Sequence, residues 1–170
     1  MINIIESENI KIENTKTENI EKLYYTFDNL IDDLHILVDK IKNDNWEPDI
    51  IIGPCRGAYI PGVMLSHYYN KPFQGFIWQT RDGNIQDISG LNKILDENMD
   101  KNILIIDDIN DSGLTLNGIN DVILSHKYTN NIKYAVLFNK TTSNFKEINY
   151  YSNEMTLENN KWIVFPYEEF

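Results

Sequence analysis

The chain has 170 residues, enough for one domain that buries about 70% of the surface its unfolded form would expose. A hydrophobic share of 42% is that of a globular protein, which disfavours disordered and membrane classes, and no apolar run reaches the roughly 20 residues of a membrane helix. The net charge of −11 argues against a broad nucleic-acid or acidic-membrane surface, and it sets a condition on any polyphosphate ligand: local cations, backbone amides or Mg²⁺ must offset the field.

The first residues, Met1 to Glu8, are acidic and lack the basic region of a secretory signal. The single cysteine, Cys55, excludes an internal disulfide and a multi-cysteine zinc site. Both point to a cytoplasmic chain. Residues 1–22 are polar and without period, and read as a loose arm or a short strand pair. From Phe27 the apolar residues Leu30, Ile31, Leu34, Leu37, Val38 and Ile41 recur at helical spacing, which predicts an amphipathic helix to about Asn43, with His35 on its outer side. Ile50-Ile51-Ile52-Gly53 is suited to a buried parallel strand. A Gly/Pro-punctuated turn, Gly53 to Gly57, leads into a helix over 60–69 with Pro61 in its first turn.

Phe73 to Gln79 reads as a second strand. Residues 80–98 are poor in apolar side chains and predict a mobile loop with a short helix around Leu91–Leu95. Asn102 to Asp107 is the strongest strand signal, followed by a helix over 116–126. Lys133 to Phe138 is a further strand that runs into a polar loop, and Lys161 to Pro166 a short terminal one. Strands alternating with helices predict a single α/β domain over 1–170 with a twisted, mostly parallel sheet flanked by helices. His67, His126, Trp46 and Trp78 belong to no constellation and are read as structural.

The chemistry concentrates in one stretch, Ile103 to Thr115. A buried strand delivers two adjacent carboxylates, Asp107 and Asp108, to its C-terminal end, where α/β sheets hold their ligands. Asp111-Ser112-Gly113-Leu114-Thr115 then forms a turn that opens a helix. Glycine lets backbone amides turn inward, two hydroxyls add donors, and a helix start favours an anion. Carboxylates repel phosphate but accept hydrogen bonds from vicinal hydroxyls. Acids beside a phosphate cradle therefore describe a ribose 5-phosphate. Helix capping by Asp111 or Ser112 accounts for one residue and leaves the acid pair unexplained. Arginine is scarce in this chain: of 15 basic residues only Arg56 and Arg81 are arginines, which hints at a need for the planar bidentate fork.

The stretch resembles the signature of type I phosphoribosyltransferases: four apolar residues, two acids, two variable residues, then Asp-Ser/Thr-Gly-x-Thr. The resemblance implies an enzyme that binds 5-phosphoribosyl-1-pyrophosphate (PRPP) with Mg²⁺ and transfers the ribose phosphate to a nucleobase. It implies that Asp107 and Asp108 serve the ribose hydroxyls, with Asp108 near Mg²⁺. Residues Asp111, Ser112, Gly113, Leu114 and Thr115 would cradle the 5-phosphate, and Asp111 would also handle the purine N7 proton. Gly53 to Ala58 occupies the place of the family's pyrophosphate loop, with Arg56 and Gly57 as its binding residues, Ala58 in place of a second glycine, and the Cys55–Arg56 peptide expected cis.

Arg81 matches an arginine that reaches pyrophosphate in similar enzymes, where it assists catalysis, and the loop after it resembles their lid. Lys140 stands where the 6-oxopurine branch uses a lysine on the purine O6. Trp162 and Ile163 resemble that branch's base-binding segment, with Trp162 as the stacking ring and the terminal segments as a small hood. The implied partners are PRPP, a purine base and further copies of the chain, as dimer or tetramer. A PRPP-sensing regulator of the same fold is the alternative, and the acidic charge with no added nucleic-acid surface weighs against it. A third class, a phosphatase using Asp107 as nucleophile, would need no base site.

Overall fold

The computed structural model describes residues 21–80, 85–126 and 131–168. In chain order these form β1 (Lys22–Tyr24), α1 (Phe27–Asn43), β2 (Ile50–Cys55), α2 (Tyr59–Tyr69), β3 (Phe73–Ile77), α3 (Ile88–Glu97), β4 (Asn102–Asn110), α4 (Leu114–His126), β5 (Asn131–Lys140), β6 (Tyr150–Met155) and β7 (Trp162–Val164). Five strands make one parallel sheet in the order β3-β2-β4-β5-β6. β1 and β7 pair in parallel as a separate two-stranded hood, which joins the two ends of the described chain.

The sheet is central because its middle strands are apolar on both faces. Ile51, Leu104 and Ile106 face one layer with α1 and α2 residues such as Leu37 and Leu65. Ile50, Ile52, Ile103 and Ile105 face the other with Leu91 and Leu95 of α3 and Leu116 and Ile119 of α4. Each such side chain, fully buried, contributes about 1.5–3 kcal/mol. After β2 the chain adds β3 on one side and then crosses to add β4 on the other. That reversal opens a crevice beyond the C-terminal ends of β2 and β4, the place where such sheets bind ligands.

α1 begins where predicted because Thr26 caps it: its hydroxyl accepts from Asn29 N at 3.1 Å, and Asn29 Oδ1 accepts from Thr26 N at 3.1 Å. The buried stripe differs from the expected one. Phe27 and Ile31 are 52% and 40% exposed, while Asp33 is buried at 8%. Asp33 is tolerated there because Tyr25 Oη and Asn153 Nδ2 both donate to its carboxylate.

Three segments depart from expectation. The span read as a mobile loop with a short helix around Leu91–Leu95 has that helix in a longer form, the ten-residue α3, capped by Asp87, whose carboxylate accepts from Gly90 N at 2.8 Å. Leu91 and Leu95 lie one turn apart and are fully buried, which is enough to dock a short helix on the sheet. Ahead of it, residues 85–87 pair antiparallel with the end of β3 through Gln79 N to Ile85 O at 2.7 Å and Asp87 N to Ile77 O at 2.9 Å. Residues 81–84 lie outside the described residues. The polar stretch after β5 contains β6, an edge strand without apolar alternation. Ser152 Oγ donates to Asp33 O at 2.7 Å, tying β6 to α1. Finally, β4 continues to Asn110 in register with β5, so the two acids sit inside the strand rather than at its last residue. The polar arm over 1–22 lies outside the described residues up to residue 20; Lys22 already belongs to β1.

Candidate active site

A cavity of about 460 Å³ opens where the crevice was expected, between the ends of β2 and β4 and under the hood. Its floor is the acid pair. Asp107 is 7% exposed and its Oδ1 accepts the N–H of Asp108 at 3.0 Å. Burial pushes the Asp107 carboxyl well above the usual carboxylate range, and the neighbouring Asp108 adds to the push. Asp108 is raised to about 6, by burial first and by nearby Glu168 second. Two adjacent acids whose carboxyls are both raised by burial favour a ligand that brings hydroxyl donors or a cation.

The Asp108 carboxylate packs directly on the β2–α2 turn: a Cβ at Gly57 would lie 2.3 Å from its Oδ2. Glycine there lets the strand carboxylate and the turn backbone meet. The Cys55–Arg56 peptide is cis, as the resemblance implies, and Arg56 is exposed at the rim. Ala58 is fully buried and its N–H donates to Pro54 O at 3.2 Å, so the residue in place of a second glycine closes the turn internally. Cys55 is half-buried beside it.

On the opposite wall, residues 111–115 pass from β4 into α4. Gly113 has φ +86°, and a Cβ there would lie 2.4 Å from Phe145 N, so two independent constraints demand glycine. The turn is strapped from behind by a buried polar network. Ser143 Oγ donates to Asn110 Oδ1 at 2.7 Å, while Asn110 Nδ2 donates to Phe145 O at 3.0 Å and to Asn139 Oδ1 at 2.8 Å. Asn144 N donates to Ser112 O at 3.0 Å. Leu114 is 62% exposed and offers the site its backbone, not its side chain. Thr115 Oγ1 lies 3.2 Å from Thr80 Oγ1 across the cavity. Ser112 Oγ makes only a long 3.4 Å contact with Leu114 N, so helix capping does not consume that hydroxyl.

Lys140, at the end of β5, reaches the same cavity, and its Nζ pairs with Asp111 Oδ1 at 2.7 Å. The lysine expected at the base and the acid expected to handle its proton are thus neighbours. Trp162 is 51% exposed, whereas Ile163 is 6% exposed, and both line the cavity. Every candidate residue in the described chain lines this one cavity; Arg81 lies outside the described residues.

Sequence reasoning missed the terminal turn and the strap. Phe165 stacks on Tyr167 with ring centroids 5.3 Å apart, and Tyr167 Oη donates to Asp108 Oδ2 at 3.4 Å. Burial and the surrounding acids push the Tyr167 phenol upward, so it is a neutral donor. Tyr167, an aromatic directly after the predicted strand's Pro166, was the only local signal. For Asn110 and Ser143 there was none, because their meeting depends on pairing across 33 residues.

A family model for the phosphoribosyl transferase domain matches residues 23–169. Among solved structures, the purine phosphoribosyltransferase of Pyrococcus horikoshii is similar at 28% identity over 89% of this chain and 96% of that one, with a TM-score of 0.68. The fold is shared with a Neisseria gonorrhoeae hypothetical protein solved with bound ppGpp, at 23% identity, 89% and 91% coverage and TM-score 0.69. It is shared as well with the Helicobacter pylori xanthine-guanine-hypoxanthine phosphoribosyltransferase, at 20% identity, 87% and 94% coverage and TM-score 0.66. A comparison with curated proteins returned no match. Since the family model runs through nearly all of the chain, hood included, the protein belongs to the phosphoribosyltransferase family and is a phosphoribosyltransferase.

Proposed function

We propose that the enzyme transfers the 5-phosphoribosyl group of PRPP to a 6-oxopurine (guanine, xanthine or hypoxanthine), giving the nucleoside monophosphate and pyrophosphate. One observation carries this reading: the acid pair of β4, the strapped turn before α4 and the β2–α2 turn meet in one cavity whose far end carries Lys140 and Trp162. Acids for ribose hydroxyls, amides for a 5-phosphate and a second turn for pyrophosphate follow the order of groups along PRPP. A purine phosphoribosyltransferase at 28% identity supports the choice of base class.

In this mechanism Asp107 and Asp108 accept from the ribose hydroxyls, and Ser112, Thr115 and the amides of 112–115 hold the 5-phosphate. Arg56 and Gly57, with Arg81, attend the pyrophosphate. Lys140 donates to the purine O6, Asp111 takes the N7 proton, and Trp162 stacks on the ring while the Ile163 backbone reads its edge. Catalysis is then largely positioning, with the ribosyl C1 held between base and leaving group. Among the described residues no group of three or more His, Cys, Asp or Glu could hold a metal ion alone. The hard carboxylate oxygens of Asp108 nevertheless suit Mg²⁺, which commonly binds through one or two carboxylates plus substrate phosphates. Bound there, it would neutralise charge on the departing pyrophosphate.

The test is pyrophosphate release from PRPP with guanine, hypoxanthine and xanthine, against adenine and orotate. Release with a 6-oxopurine is expected. Release only with adenine or orotate would overturn the base assignment. In the same assay Asp108→Asn should lower kcat/KM on the order of a hundredfold or more while the protein stays folded.

A further inference from the structure

The ribose acid Asp108 is gripped from two sides by parts of the chain far apart in sequence. On one side is the Cα of Gly57, on the other the hydroxyl of Tyr167 at 3.4 Å from Oδ2. The tyrosine is itself immobilised. Its ring lies parallel to Phe165, at 9° between planes, and Phe165 is 3% exposed, packed edge-on against Tyr25 and Phe138 at centroid distances of 5.6 and 5.9 Å. The turn carrying it is closed by Phe165 N to Glu168 Oε2 and Glu168 N to Phe165 O, both 3.0 Å. Tyr25 in turn is anchored on α1, its hydroxyl donating to Asp33 and lying 3.1 Å from Asn29 O. A continuous stack therefore runs from the first helix through the hood to the acid.

We infer that Tyr167 is a positioning residue for Asp108: its hydroxyl fixes the orientation in which that carboxylate receives a ribose hydroxyl, and the Phe165 stack holds the hydroxyl in place. This rests on the ribose-binding reading above. A phenol is suited to the task because it donates one hydrogen bond along a rigid ring axis and leaves the second carboxylate oxygen for the ligand. Hydrogen bonds of this kind are often long before the ligand enters and tighten around it. Without the hydroxyl the carboxylate keeps only its backbone donors, Ile109 among them, and loses the side-chain donor that sets its orientation; the loss falls on ligand groups that contact Asp108 rather than on the phosphate or the base.

The experiment compares GMP with its 2′,3′-dideoxy analogue, by titration calorimetry with Mg²⁺, on the full chain and on Tyr167→Phe. The wild type should prefer GMP by roughly tenfold or more, the cost of leaving an acid acceptor without its donor. Tyr167→Phe should cut that preference by about fivefold, with the dideoxy affinity unchanged. A partly unfolded variant would lower the number of binding sites for both ligands equally and leave the ratio intact, so the ratio is a readout that a merely structural role does not move. An unchanged preference in Tyr167→Phe beside a clear preference in the wild type would overturn the role of Tyr167 alone. A wild type that binds both ligands equally, or neither, would overturn the ribose-binding reading and this inference with it.

Discussion

At the scale of single residues, the site is shaped as much by what is missing at Cα as by what projects from it. Gly57 and Gly113 stand on opposite walls, one against the Asp108 carboxylate and the other against the Phe145 amide. Gly57→Ala should displace Asp108 by more than a flexible side chain can absorb, because the carboxylate is backed by Tyr167. We expect kcat/KM for PRPP to fall on the order of a hundredfold with little change in Tm. A variant of near wild-type activity would show that Asp108 has room to move. Both glycines were legible in the sequence as members of turns, Gly113 in the one that opens α4. The reason each is needed, a specific atom 2.3 or 2.4 Å away, was not, since those neighbours arrive from other elements.

At the scale of elements, the end of β4 and the loop after β5 act as one unit. Asn110 is 1% exposed and bonds three partners, and Ser143 is equally buried. Asn110→Leu would leave those partners without donors or acceptors in a dry site. It should cost about 2–3 kcal/mol, a fall in Tm of roughly 5–10 °C for a chain of this size. If residues 111–115 hold the 5-phosphate as proposed, KM for PRPP should rise as well, because the strap carries that turn; a stability loss with unchanged KM would confine the strap to folding. Strands with continuous apolar runs, β2 and β4, were readable from the sequence, and so was α1 with its cap. The edge strand β6 was not. Its residues Tyr150 to Met155 carry no period, and they are in a strand because β5 offers them an unpaired edge and α1 offers Asp33.

At the scale of the whole molecule, the acidic chain holds its far end together with a charged clasp. Lys133 of β5 donates to Asp44, just past α1, and Tyr150 of β6 donates to the same Asp44 oxygen at 2.7 Å. The bond from Lys133, then that from Tyr150, hold the Asp44 carboxyl below its ordinary value of 3.8. A carboxyl lowered on folding adds stability above its unfolded pKa, and that stability is lost as pH falls through the lower, folded value. Asp44→Asn should therefore lower Tm by a few degrees at neutral pH, with the difference from wild type closing as the pH falls from 3.8 through the lower folded value and shrinking in salt. A difference that persisted in acid would assign the loss to packing instead of charge.

The sequence by itself determined that this is an α/β chain in which the strand from Asn102 delivers an acid pair and then a glycine-containing turn, because those features are written in neighbouring residues and in local period. Only the tertiary structure decided which groups stand behind them. The Asn110–Ser143 strap, the strand pairing of β1 with β7 inside the expected hood and the Tyr167 contact with Asp108 join residues separated by 33 to 140 positions. No local pattern encodes such meetings; they follow from how the sheet orders its strands and where packing then brings the chain's ends.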